Sequence, residues 1–203
     1  MVTDGLTPLT FLLFVGLALG SVVVLGSALV ALVLKQPLWA RRLGWLEGAG
    51  LACYALLYLL ASLTSHDRAL GLGEEKHICE IDCHLAYAVT NVRRAGDSLV
   101  VTVSVRFDSL TISEHRPRSA SLTPNGRVVI LEDGQGRRYP ASADNLKRAL
   151  IPGEAYTTQF VFDVPPTATG LRLLLANGDW ETRLMIGHEN SWLHGTTTFR
   201  LGT

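Results

Sequence analysis

Hydrophobic positions divide this chain near residue 65. From Leu9 to Leu34 the sequence is apolar and carries no charge, and a second apolar run from Leu43 to Thr64 holds one charge, Glu47, near its start. About 20 apolar residues in a helix cross the ~30 Å hydrocarbon core of a bilayer. The first run is too long for the apolar part of a signal peptide, and it lacks the basic start and small-residue cleavage site. Residues 1–65 therefore predict a transmembrane helical hairpin, with spans at about 9–34 and 43–64. Pro37 suits a break between them.

Beyond residue 65 the period changes. Residues 66–76 read as a linker with glycine punctuation, and residues 77–203 as a β-rich domain. Leu85, Tyr87 and Val89 begin an alternation, and Leu99, Val101, Val103, Val105 and Phe107 alternate with more polar neighbours, as in a half-buried strand. Arg127–Glu132 reads as another strand, turned by Asp133-Gly-Gln-Gly136 toward Arg137–Tyr139. Phe160, Phe162 and Val164 alternate up to Pro165-Pro166. Leu171–Ala176 and Trp180–Ile186 flank Asn177-Gly178-Asp179, which reads as a hairpin turn. Thr197–Leu201 closes the chain, and Asp144–Leu150 predicts one helical turn. Short strands with frequent turns predict an antiparallel β-sandwich.

Charge adds orientation. The connector Lys35-Gln-Pro-Leu-Trp-Ala-Arg-Arg42 holds three cations and no anion. Short Lys/Arg-rich loops stay cytoplasmic. Both the N-terminus and the C-terminal domain are then extracytoplasmic, and Trp39 and Trp45 fall where indole rings favour the interface. Lys plus Arg and Asp plus Glu each number 18 among 203 residues. That balance gives no basic excess for nucleic acid, so no nucleic-acid partner is expected. Neither span has an ionisable group at its midpoint, which argues against an ion or substrate path through this chain alone. Gly16-x-x-x-Gly20, with Gly48 and Ala52, allows close helix contact, either within the hairpin or with another membrane subunit. Cys53, inside the second run, reads as a packed thiol.

The string Gly134-Gln-Gly-Arg-Arg-Tyr-Pro140, then Leu150-Ile-Pro-Gly-Glu154, Phe160-Val-Phe-Asp-Val-Pro-Pro166 and Leu171-Arg-Leu173 resembles an immunoglobulin-like domain of unknown function, common in bacterial lipoproteins and membrane-anchored exported proteins. The resemblance covers about residues 77–201. It implies an all-β immunoglobulin-like antiparallel sandwich in an extracytoplasmic setting, here joined to a two-helix transmembrane hairpin in a bacterial inner membrane. Its motifs are structural and bring no catalytic residues.

One dense group of potential ligands stands out: His77-Ile-Cys79-Glu-Ile-Asp-Cys83-His84. On a straight strand the two cysteines would lie ~13 Å apart, whereas a disulfide needs α-carbons within ~7 Å. Any shared role requires a bend at Glu80–Asp82. Four readings stay open. An oxidising compartment favours a Cys79–Cys83 disulfide. Two unlinked core cysteines are compatible with burial. A copper or zinc site would use His77, Cys79, Cys83 and His84, with His188 or His194 as distant additions. Covalent haem is a further reading, although Cys-x-x-x-Cys-His is one residue longer than the usual attachment motif.

The remaining candidates are contacts. Arg116 and Arg118 lie in a basic loop, Glu114-His-Arg-Pro-Arg118, and Trp192 lies between His188 and His194. Ser191, His194 and Glu189 lack a nucleophile elbow, so no hydrolytic triad is expected. The leading expectation is non-enzymatic: an accessory, stabilising subunit of a larger integral membrane complex, photosynthetic or respiratory, using Gly16, Gly20, Gly48, Arg116, Arg118 and Trp192. The alternative is a metal- or haem-binding redox protein built on the His77/Cys79/Cys83/His84 cluster.

Overall fold

A computed structural model describes residues 7–78, 84–112, 117–124 and 126–202. The chain divides into two compact units. One joins Met1–Ser65 with Glu181–His194, and the other comprises His66–Trp180 with Gly195–Thr203.

Two long helices dominate the first unit, α1 (Thr7–Val33) and α2 (Pro37–Thr64), packed against each other. Along α1 the less exposed positions include Phe14, Leu17, Ser21, Val24, Ala28 and Ala31. That alternating three-four spacing is the seam of a close-packed antiparallel helix pair. Both helices turn mostly apolar side chains outward: of the described side chains only Ala31 is buried on α1, and none is buried on α2. Each is long and apolar enough to cross a membrane, over Leu9–Val33 and Pro37–Thr64. The connector is shorter than expected. Lys35 adopts a left-handed conformation (φ 57°), and Pro37 opens α2 at its first turn, where its missing N–H costs nothing. Trp39, Arg41 and Arg42 are therefore on the helix, and Arg42 lies 5.4 Å over the Trp39 ring.

The second unit is a β-sandwich of two sheets. One has the order β2 (Glu75–Ile78), β3 (Leu85–Ala95), β4 (Ser98–Phe107) and β7 (Ala155–Asp163), all antiparallel. The other runs β1 (Arg68–Leu70), β9 (Thr197–Arg200), β8 (Arg172–Asn177), β5 (Arg127–Glu132) and β6 (Arg138–Ala141). In β4 every second residue from Leu99 to Phe107 is fully buried, as its alternation predicts. Phe160, Phe162, Leu131, Leu173 and Phe199 complete the core between the sheets.

Three expectations change. Residues 66–76 are not a plain linker: they contain β1 and the start of β2. The sandwich is not wholly antiparallel, because β1 runs parallel to β9, with Leu70 opposite Phe199. Trp180–Ile186 is not a strand. After β8 the Asn177 side chain accepts the Asp179 N–H at 3.0 Å and the chain turns into a 3-10 helix, Trp180–Leu184. This Asx turn supplies locally the bond a ladder would have given. The helical turn expected at 144–150 is a short 3-10 turn, Asp144–Leu146.

The sandwich closes where the chain enters and returns. Arg68 N–H donates to Thr196 O at 3.0 Å, and Thr196 N–H donates to Asp67 Oδ1 at 2.9 Å. A Cβ at Gly195 would overlap the backbone of His66, so only glycine fits this crossing.

Candidate functional site

The first unit holds a junction built from one face of α2. Tyr54, Tyr58 and Ser62 recur every four residues and so lie in a row. In an apolar helix each hydroxyl requires a partner. Segment 181–194 supplies them. Tyr54 donates to Leu184 O at 2.7 Å and Tyr58 to Arg183 O at 2.9 Å. Ser62 Oγ donates to Tyr58 O at 2.8 Å and lies 3.4 Å from His194 Nδ1. The His194 ring meets Tyr58 edge-on at 5.1 Å, and its Nε2 accepts the Gly187 N–H at 3.0 Å. That bond places the ring proton on Nδ1, toward Ser62. Burial holds the His194 pKa below its ordinary value.

The segment is folded on itself. His188 N–H bonds Met185 O, Ser191 N–H bonds His188 O, and Trp192 N–H bonds Arg183 O. The Ser191 hydroxyl donates its one proton within reach of two loop carbonyls, Met185 O and Thr182 O, and His188 Nδ1 accepts the Asn190 N–H. The Ser191 hydroxyl therefore serves the loop backbone, and His194 is turned to Gly187, Ser62 and Tyr58. Trp192 and Leu193 point outward, at 67% and 57% exposure.

The expected contact glycines are accounted for differently. A Cβ at Gly16, Gly20 or Gly48 would meet nothing within 4 Å. The hairpin leaves room at all three, with Gly16 and Gly48 exposed and Gly20 half-buried at the edge of the seam. Cys53 is exposed on α2 rather than packed.

The ligand cluster is described only at its flanks. Cys79 and Cys83, with any disulfide between them, lie outside the described residues, as does Arg116. His77 is on β2, 4.0 Å from Glu75. His84 is buried just before β3; its Nδ1 is 2.7 Å from Thr111 Oγ1, and its ring stacks on Phe107 at 5.5 Å. Among the described residues, no three His, Cys, Asp or Glu side chains group as a metal site. Arg118 is exposed in the loop before β5.

Two polar features that the sequence did not announce lie in the sandwich. Lys76, buried on β2, spans to the opposite sheet and donates to Leu175 O and Thr197 O at 2.6 and 2.8 Å. Opposite it in register, Tyr87 accepts from Arg127 Nε at 2.9 Å. On the outer face of the five-stranded sheet, Glu132 bridges Arg138 at 3.0 Å and Arg172 at 3.3 Å, beside a groove of about 220 Å³ that also reaches Asp67, Arg68 and Leu174.

No protein-family model matches the chain, and no curated protein is significantly similar to it. Among solved structures, it is similar to MPT63, a secreted protein of Mycobacterium tuberculosis, at 13% identity and a TM-score of 0.44, over 68% of this chain and 99% of that one.

Proposed function

We propose that the chain is a non-enzymatic, membrane-anchored accessory protein. Its helix pair spans the bacterial inner membrane and docks on a larger integral membrane complex, which its extracytoplasmic, immunoglobulin-like sandwich helps to brace. The observation that carries this reading is the room beside the helix glycines. A side chain at Gly16, Gly20 or Gly48 would meet nothing within 4 Å; Gly16 and Gly48 are exposed on their apolar helices, and Gly20 is half-buried at the edge of the α1–α2 seam. In lipid, such positions let a neighbouring helix approach closely. Lys35, Arg41 and Arg42 support an orientation with the α1–α2 connection in the cytoplasm. Tethering then confines the sandwich near the membrane surface and raises its effective concentration toward a partner there.

The test is purification at native expression in mild detergent. The expected result is a complex larger than the chain, from which a Gly16→Leu/Gly20→Leu/Gly48→Leu variant dissociates while keeping its helices. A monodisperse, partner-free wild-type monomer would overturn the docking role.

A further inference from the structure

Segment 181–194 is the feature that the anchoring role leaves unused. It departs from the sheet after β8, folds against the last three turns of α2, and returns as β9. Near its end Trp192 and Leu193 are exposed, while Thr182, Met185, His188 and Ser191 are buried. Several of its backbone groups are bonded within the segment or to α2 hydroxyls.

The position of the segment along α2 fixes its depth. The 28 residues of α2 extend about 42 Å, some 12 Å more than the hydrocarbon core. Lys35, Arg41 and Arg42 hold the other end at the inner boundary. Roughly 20 residues counted from Pro37 or from Arg42 end at Leu57 or Ser62. The outer boundary therefore crosses the row Tyr54–Tyr58–Ser62 on which the segment is docked. We propose that Trp192 and Leu193 insert into the outer-leaflet boundary of the bilayer, making segment 181–194 a second, non-helical membrane contact. The proposal rests on the membrane-spanning reading above. The occupant is lipid. The exposed pair sits on a segment bonded to the apolar helix α2, an indole beside an aliphatic side chain is the chemistry of the headgroup–acyl boundary, and irregular backbone is tolerated at that depth when its polar groups are bonded within the protein.

The test uses the full chain in phosphatidylcholine vesicles. One variant retains Trp192 as its sole tryptophan (Trp39→Phe/Trp45→Phe/Trp180→Phe), and a second retains only Trp45. All three replaced side chains are exposed, so packing is preserved. Lipids brominated at a shallow or a deep acyl position serve as quenchers. Insertion to ~5–10 Å predicts that shallow bromine removes about half of the Trp192 emission and that deep bromine removes far less. Trp45 reports on the helices alone. If Trp45 is quenched and Trp192 emits as in water, the loop proposal fails and the span stands. If Trp192 is shielded from aqueous acrylamide yet untouched by either bromolipid, a protein covers it and the proposal fails. If Trp45 itself escapes quenching, the membrane reading beneath both is wrong. Trp192→Ala, read by outward displacement of a nitroxide on Leu193→Cys in a Cys53→Ala/Cys79→Ala/Cys83→Ala background, gives a second measurement independent of the Phe substitutions.

Discussion

Removing the two tyrosine hydroxyls of α2 is expected to release segment 181–194 without unfolding either helix. Tyr54→Phe/Tyr58→Phe keeps both rings and deletes the bonds to Leu184 O and Arg183 O. A neutral hydrogen bond contributes about 0.5–1.5 kcal/mol net. The two carbonyls belong to adjacent residues of one segment, so the losses combine to about 1–3 kcal/mol, a roughly 5- to 150-fold rise in the open population. Hydrogen exchange of the full chain in detergent reads this directly, because local opening sets the exchange rate of protected amides. The amides of His188, Ser191, Trp192 and His194, each bonded to a carbonyl within the segment, should exchange faster by that factor. Those of β4, central in its sheet, should keep their wild-type rates. An unchanged rate across 181–194 would show that the hydroxyls do not hold the segment. An equal acceleration in β4 would show global destabilisation instead.

Acidification should loosen the same segment before the sandwich. The neutral form of His194 accepts Gly187 N–H, and burial depresses its pKa, so the contribution is complete above the ordinary histidine value of about 6.5 and is lost as pH falls below it toward the folded-state value. The carboxylate of Glu75, held low by hydrogen bonding to Arg106, behaves likewise in a lower window, starting near about 4. Protection of the 181–194 amides, taken against their intrinsic exchange rates at each pH, should therefore fall below about pH 6.5, and His194→Gln should abolish that step alone. Gly195→Ala should destabilise the sandwich by about 1–3 kcal/mol through overlap with His66, read as a lower melting temperature of the full chain; an unchanged melting temperature would show that the crossing has slack. Leu131→Ala, fully buried in β5, should cost about 2–5 kcal/mol. Ile130→Ala, its half-buried neighbour on the opposite face, should cost about 1 kcal/mol; equal losses at the two positions would contradict the register.

Legibility in the sequence followed period and length. Val101, Val103 and Val105 announce a strand because one face is buried and the other is not. The two helices announce themselves by long apolar runs, uncharged from Leu9 to Leu34 and broken only by Glu47 from Leu43 to Thr64. Strands of three and four residues give no period to detect, and β1 gains its partner from Thr197–Phe199 at the far end of the chain, so β1 and the start of β2 looked like linker. Asn177-Gly178-Asp179 has the composition of a hairpin turn, but the Asn177 side chain satisfies the next turn itself, and the chain leaves the sheet. The junction on α2 did carry a signal: hydroxyls at residues 54, 58 and 62 on one face of a lipid-like helix each require an acceptor. What the sequence could not supply was which distant carbonyls would answer, because Arg183 and Leu184 take part through their backbone, which every residue shares.

The parallel pairing of β1 with β9 has a mechanical consequence. Parallel strands start from the same end, so Arg68 and Thr197, the first residues of β1 and β9, are register partners. The polypeptide thus comes into the sandwich twice at one corner, after Ser65 and again after His194. The bonds of Arg68 N–H to Thr196 O and of Thr196 N–H to Asp67 Oδ1 knot the two arrivals together, so loosening either one frees both.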